Sequence, residues 1–351
     1  MSRKAKSGGR IAGRGRRRES GVSTRSGGTE RDRDQQLQQQ CDRLLERFLG
    51  RDPDGRVVCQ FGSHAETEFV DGSRLLCMLS PKVHKLQGVC VGDRVWTERG
   101  ATDKERIIQG RAPRRNELRR RRGEDDRTGH VIAANIDLMA ITTALREPPL
   151  RTGALDRYLV LASALGFEAM IVLTKLDQSP PEEPGWEALI PYRELGVPIV
   201  ATSSASGQGL DELRSALFGR VSVFAGHSGV GKSSLCRALG LDEAPEIGEM
   251  SRSGGRVRGR HKTSVARLLE LPGGGRVVDT PGVRSIGLVD LSRADAPVHF
   301  PEFANWAREC SYRDCLHLEE DGCAVRLAAQ SGALAKSRYS SYSRLMATLV
   351  E

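Results

Sequence analysis

Eight residues of the pattern G-x-x-x-x-G-K-S, Gly226-His227-Ser228-Gly229-Val230-Gly231-Lys232-Ser233, lie between an apolar run and a helix-forming one. Glycines at these places let backbone N–H groups turn onto phosphate oxygens, and a helix opening at Lys232 adds a favourable dipole. Lys232 would reach the β and γ phosphates, Ser233 would ligate Mg²⁺, and Ser234 would line the same site. Alone, the loop licenses binding of a nucleotide phosphate and nothing finer.

The base is specified elsewhere. Thr174-Lys175-Leu176-Asp177 ends a second apolar run and resembles the [N/T]-K-x-D motif of GTPases. A carboxylate at Asp177 can accept from both N1–H and the exocyclic amine of guanine, a donor pair that adenine lacks. Lys175 would lay its stem along the base and the phosphate loop. Thr174 stands where Asn is commoner and replaces part of its hydrogen bonding, so guanine selectivity is expected to survive at lower affinity. After the next apolar run, Ala201-Thr202-Ser203-Ser204 offers a second base loop, with Ser203 as its contact.

Asp279-Thr280-Pro281-Gly282 resembles the D-x-P-G motif that follows Mg²⁺ and the γ-phosphate in GTPases. Asp279 would hold the ion through water, and the N–H of Gly282 would meet the γ-phosphate. Between the two phosphate motifs, Gly259-Arg260-His261-Lys262-Thr263-Ser264 lies where a first switch belongs, and Thr263 would complete the Mg²⁺ shell. Val283 occupies the position where many GTPases carry a water-orienting glutamine. An apolar side chain cannot orient water, so unassisted turnover should be slow. His261 is the candidate catalytic group; packing or an RNA contact is the competing role for it. The base motifs precede the phosphate loop, the reverse of the order in small GTPases. A circular permutation produces that order without altering the site.

Of eight cysteines, Cys41, Cys59, Cys77, Cys90 and Cys236 are scattered, but Cys310, Cys315 and Cys323 fall within 14 residues and enclose His317. Three thiolates and one imidazole suit a closed, tetrahedral, structural Zn²⁺ site, one ion per chain. Such an ion would stabilise a helix-poor segment that has too small a core of its own.

With 351 residues, the chain is long enough for two or three domains. Its net charge of +9 is uneven: residues 1–34 hold 11 basic and 4 acidic side chains, a net of +7. Two further arginine-rich runs occupy residues 111–122 and 252–262. Such clusters favour a polyanion, either nucleic acid or an anionic membrane surface. No run approaches the ~20 apolar residues of a membrane span and no apolar leader follows the basic start, so a cytoplasmic protein is expected.

Residues 1–45 read as a disordered basic tail, low in apolar content and rich in glycine and glutamine. In residues 46–128 the pattern predicts short strands at 56–61, 66–70, 74–78 and 88–95, with another at Ile107-Ile108. An OB-like barrel and a generic β-domain both fit them. Residues 129–295 alternate strand and helix, which predicts a mostly parallel sheet with phosphate ligands at its carboxyl edge. Strands are expected at 131–143, 169–173, 199–201, 220–225, 265–270 and 276–279, and helices at 154–165, 186–195, 209–217 and 232–238, the second broken at Pro191. Residues 296–351 would form the small zinc-binding domain.

Together these motifs resemble the circularly permuted, ribosome small-subunit-dependent GTPase A family (RsgA, also called YjeQ). The resemblance covers about residues 50–345. It extends to Val131-Ile132-Ala133-Ala134-Asn135-Ile136-Asp137, Leu155-Asp156-Arg157-Tyr158-Leu159-Val160, the switch G-R-H-K-T-S, and Pro301-Glu302-Phe303. It implies an N-terminal OB barrel, a central P-loop GTPase domain and a C-terminal zinc domain. It also implies slow GTP hydrolysis stimulated by the 30S subunit during its late maturation, with 16S rRNA and GTP or GDP as partners, and a monomer. An RNA-binding scaffold with a decayed nucleotide site is disfavoured by intact Lys232, Ser233, Asp279 and Asp177. An ATP-using phosphotransferase is disfavoured by Asp177.

Overall fold

The computed structural model describes residues 30–102, 105–120, 129–179, 182–241, 266–279 and 291–349. Five strands near the N-terminal end, β1 (Gly55–Phe61), β2 (His64–Phe69), β3 (Arg74–Leu79), β4 (Arg94–Arg99) and β5 (Arg106–Arg111), close on themselves in the order β1-β2-β3-β5-β4. The pair β3–β5 is parallel and the other four pairs are antiparallel. Alternate residues face inward, so Val57, Ala65, Cys77, Leu79, Val95 and Ile108 fill the interior of an OB-like barrel.

Two expectations for this block are corrected. Residues 30–45 are helical (α1, Glu30–Leu45) instead of disordered. Glutamine, glutamate and leucine are good helix formers, and the last turn buries Leu44 in the barrel core. The 3-10 turn that follows stacks Phe48 on Trp96 at 4.6 Å. The strand expected at 88–95 is a loop after a short helix, α2 (Pro81–Leu86), and the fourth strand begins at Arg94. Its apolar residues serve a different contact: Val91 bridges Ala133 and accepts from Ala134 N at 2.9 Å.

That contact belongs to a joint. The segment expected as one strand over 131–143 divides into β7 (His130–Ala134), paired with β6 (Glu117–Arg120), and β8 (Leu138–Ala144). Asn135, at φ 56°, makes the break. Its amide donates to Gly92 O (3.1 Å) and its Oδ1 accepts from Arg115 N (3.0 Å). Asn116 exchanges two 2.8 Å bonds with the Ile136 backbone, and Asp137 accepts from Val221 N at 2.8 Å. Several described arginines of the run beside it are paired with carboxylates of the chain. Arg114 grips buried Asp93 with two bonds (2.7 and 2.8 Å) and Glu117 (2.9 Å), Arg115 pairs with Asp137 (2.7 Å) and Arg119 with Glu117 (2.6 Å). Arg114 thus joins the barrel at Asp93 to the segment entering β6, and Arg115 joins that segment to Asp137 before β8, whereas Arg119–Glu117 is a pair within β6.

The α/β sheet runs β10 (Ile199–Ala201), β9 (Glu168–Thr174), β8, β11 (Val221–Ala225), β13 (Arg276–Asp279), β12 (Arg267–Glu270), parallel except for β12. Every residue of β8 and β11 is buried, as a sheet covered on both faces requires. Leu138 and Ala140 face α5 (Leu210–Leu217) and α6 (Lys232–Ala238). Met139 and Ile141 face α3 (Thr152–Leu165). Residues 186–195 form a 3-10 turn and then α4 (Ile190–Glu194), with Pro191 in its first turn, where a missing N–H costs nothing.

Residues 296–349 contain two 3-10 turns, α7 (Ala304–Ala307), the cysteine loop, α8 (Ala324–Ser331) and α9 (Lys336–Met346). Phe300, Phe303, Val325, Ala328, Tyr342 and Met346 pack into the same cluster as Leu155, Val160 and Ile141. The segment thus borrows the core of the α/β sheet.

At the joint, Gly92 has φ 88°, and a Cβ there would lie 2.1 Å from Ala134 O. Gly92→Ala is expected to destabilise the protein by at least about 2 kcal/mol, read from urea unfolding.

Candidate functional site

Buried strand β11 ends at Ala225, and the chain turns at Gly226 with φ 147°, where a Cβ would stand 2.2 Å from Thr142 O. Only glycine passes so close to the end of β8. His227, Ser228 and Gly229 are exposed, while Val230 is buried and anchors the loop. Lys232 Nζ arches back to donate to Gly226 O (2.6 Å) and His227 O (2.5 Å). No side chain caps α6, so its first-turn N–H groups face the loop mouth beside exposed Ser233 and Ser234. Asp279 is exposed at the end of β13. It lies near α6: burial, then the Asp279 charge, push the Cys236 thiol up to about 11, against the pull of Lys232.

The base motifs meet the phosphate loop at this same edge. Thr174, at the end of β9, is buried, and its hydroxyl lies 3.0 Å from Thr143 O and 2.5 Å from Val230 O. One proton serves one carbonyl at a time, so the hydroxyl ties β9 to both β8 and the loop. Lys175 follows at φ 58°, its ammonium on the Glu147 carbonyl. Ser203, fully buried, donates to Asp177 Oδ1 at 2.6 Å and fixes the exposed carboxylate. Thr202 braces the two loops: its N–H and hydroxyl both reach Leu173 O (2.6 and 3.1 Å), and its carbonyl accepts from Leu176 N. Thr202 is read in the sequence only as a neighbour of Ser203. The structure therefore unites Thr174, Lys175, Asp177, Ser203 and residues 226–234, with Asp279 close by. His261, Thr263 and Gly282 lie outside the described residues.

The second constellation is the cysteine loop. The ligand atoms of Cys310, Cys315, His317 and Cys323 all lie within 4.8 Å of one another. His317 Nδ1 is 3.5 Å from Cys310 Sγ and 3.6 Å from Cys323 Sγ. A tetrahedral Zn²⁺ with ordinary Zn–S and Zn–N bonds places sulfur and nitrogen about 3.6 Å apart, so the donor set fits that ion. Burial pushes the Cys315 thiol up to about 12 and lowers the His317 imidazolium. A zinc ligand set requires a neutral imidazole, the form that burial of His317 favours, and burial of Cys315 means that its thiolate would form with the ion. His317 sits at φ 58°. Tyr339 OH holds its carbonyl at 2.8 Å, and Phe303 meets its ring edge-on. Burial alone would raise the Glu320 carboxyl, but backbone N–H donors hold it low, among them those of Leu316 (2.8 Å) and Leu318 (2.7 Å), which staple the loop.

A buried ion cluster ties helix α3 to the C-terminal segment that carries the cysteine loop. Arg338 on α9, 2 % exposed, donates to Asp156 Oδ1 on α3 at 2.6 Å and to both oxygens of Glu302 (2.6 and 3.1 Å). Tyr192 OH also reaches Asp156 Oδ1 (2.7 Å), and the guanidinium lies 4.8 Å from the Phe300 ring centroid. The L-D-R-Y-L-V string carries Asp156 but names no role for it. Arg338, Ser341, Tyr342 and Leu345 are buried at helical spacing, the signal that could have marked Arg338. Arg338→Met leaves two buried carboxylates without their cation. The expected loss is about 3–5 kcal/mol in chemical denaturation.

The RsgA GTPase family model matches residues 111–289. The chain is 38% identical over 310 residues to "Small ribosomal subunit biogenesis GTPase RsgA" of Pseudomonas aeruginosa, covering 86% of this chain and 87% of that protein. It is 37% identical over 312 residues to the protein of the same name from Chlorobaculum tepidum, covering 85% and 98%. Among solved structures, YjeQ from Thermotoga maritima superposes with a TM-score of 0.69 at 31% identity, covering 84% of this chain and 97% of that one. YloQ, described as a circularly permuted GTPase, gives 0.66 at 27%, covering 85% and 95%. With its base loops on β9 and β10 preceding the phosphate loop on β11, and with these matches over most of its length, the chain belongs to the RsgA GTPase family and is a GTP hydrolase.

Proposed function

We propose that this protein binds the 30S ribosomal subunit and hydrolyses GTP, stimulated by that subunit, during late small-subunit maturation in the cytoplasm. The observation that supports it best is the Ser203–Asp177 bond, which aims a fixed carboxylate at a base from the same sheet edge as the phosphate loop. Asp177 accepts from guanine, Lys175 and Thr174 shape the base loop, and residues 226–234 cradle the phosphates. Lys232 and the N–H of Gly282 stabilise charge on the γ-phosphate. Ser233, Asp279 and Thr263 would hold the Mg²⁺ that accompanies the nucleotide and neutralises phosphate charge. With Val283 in place of a water-orienting glutamine, His261 takes the water-positioning role when the subunit is bound.

The barrel (46–128), the GTPase domain (129–295) and the zinc domain (296–351) act as one monomer, the barrel and its basic neighbours facing 16S rRNA. An OB barrel is a common platform for nucleic acid, and the basic tail of residues 1–40 adds non-specific, salt-dependent RNA affinity.

GTP turnover measured alone and with 30S subunits tests the reading. Turnover should be slow alone, rise with subunits, and be absent for ATP. His261→Ala should lower subunit-stimulated kcat by about 10²-fold; an unchanged kcat removes His261 from catalysis while leaving the GTPase reading intact.

Metal analysis addresses the zinc centre. One Zn²⁺ per chain is expected in the wild type and far less in Cys315→Ser, together with a lower melting temperature that chelator reproduces in the wild type. A metal-free, equally stable wild-type protein would refute structural zinc.

A further inference from the structure

Helix α3 has two working faces. Asp156 lies on one, buried against α9 through Arg338. Ala154, Leu155 and Tyr158, at i, i+1 and i+4, lie on the other and line a cavity of about 210 Å³ beneath the phosphate loop. Thr142 and Thr143 of β8, Pro148 and Gly226-His227-Ser228 also line it. The loop is thus undercut where His227 and Ser228 turn, and between its anchors at Gly226 and Val230 it has open space on that side.

Tyr158 spans the gap. Its ring meets the His227 imidazole edge to face, with centroids 6.4 Å apart and planes at 68°. The phenol oxygen lies by the Gly226 N–H, which offsets part of the rise that burial imposes on its titration. Edge-to-face pairs are weak but directional, and a cluster of phosphate-facing N–H groups gains affinity from being preset. The helix that presents the ring is itself clamped from behind by the Asp156–Arg338–Glu302 cluster.

We propose that Tyr158 is a positioning residue for the phosphate loop: it holds residues 226–228 in the phosphate-binding shape through His227, from a helix braced on the C-terminal segment. The inference rests on residues 226–233 being the phosphate-binding loop.

The test is GDP affinity, measured by calorimetry on the full chain with its metal, for wild type, Tyr158→Leu and Tyr158→Phe, each alone and with His227→Ala. Leucine fills most of the ring's volume, and melting temperatures establish that each variant is folded at the assay temperature. Tyr158→Leu should bind GDP about fivefold more weakly. Tyr158→Phe, which keeps the ring, should fall between it and the wild type. In the His227→Ala background the loss should shrink, the non-additivity expected of contacting residues. GDP affinity within twofold of wild type in Tyr158→Leu overturns the proposal, as does a loss undiminished by His227→Ala. A residue that merely fills space would lower the melting temperature and leave affinity unmoved. A wild-type chain without GDP affinity would instead sink the phosphate-loop assignment itself.

Discussion

The hydroxyl of Thr174 sits between the carbonyls of Thr143 and Val230, and the rest of the nucleotide site depends on that position. It joins the ends of β8 and β9 to the phosphate loop that leaves β11, so base recognition and phosphate recognition share one edge of a parallel sheet. An asparagine amide could make a similar tie with more donors; threonine makes it with one proton and a rigid, β-branched side chain. The permuted chain order leaves this geometry untouched. Strands β8, β9 and β11 are adjacent in space whatever order the chain visits them, and a site at a sheet's carboxyl edge depends on adjacency alone.

Two buried ion clusters mark the places where this sheet meets the rest of the molecule. Arg114 with Asp93 and Glu117 holds the barrel side, and Arg338 with Asp156 and Glu302 holds the C-terminal side. Removing charges from water costs about what their attraction returns, so neither cluster is a strong source of net stability. Their value lies in direction. A bidentate guanidinium accepts one arrangement of two carboxylates, whereas an apolar contact tolerates sliding. Both joints therefore resist shear.

How legible these features were follows the sequence separation of the partners. The phosphate loop and the Cys310-to-Cys323 cluster are local patterns, and both appear where spacing placed them. The strand at 131–143 was misjudged because one residue, Asn135, enters a left-handed conformation that neighbouring apolar residues do not announce. Within the arginine run, Arg114 was not legible as an internal partner, because charge records that a partner is anionic and not that it is Asp93. Of helix α1 only the amphipathic end at Leu44 and Leu45 was legible, because the glutamine-rich turns before it read as solvated until Leu44 finds the barrel interior. Arg338 and Asp156 lie 182 residues apart, and no local pattern links them.

The absence of a self-sufficient core in the C-terminal segment changes what a metal there can do. If residues 296–349 packed only on themselves, ion binding would fold them and leave the GTPase sheet unaffected. Instead Phe300, Phe303 and Tyr342 form one aromatic trio, with ring centroids 4.9–5.2 Å apart, and this trio lies in the same cluster as Leu155 and Ile141. Phe303 also meets the His317 ring edge-on, with centroids 5.7 Å apart. A rearrangement of the cysteine loop must displace Phe303, and through it the packing behind α3, because close-packed interiors transmit small shifts instead of absorbing them. The cysteine loop and the sheet that carries the nucleotide edge are, in this sense, parts of one packed body.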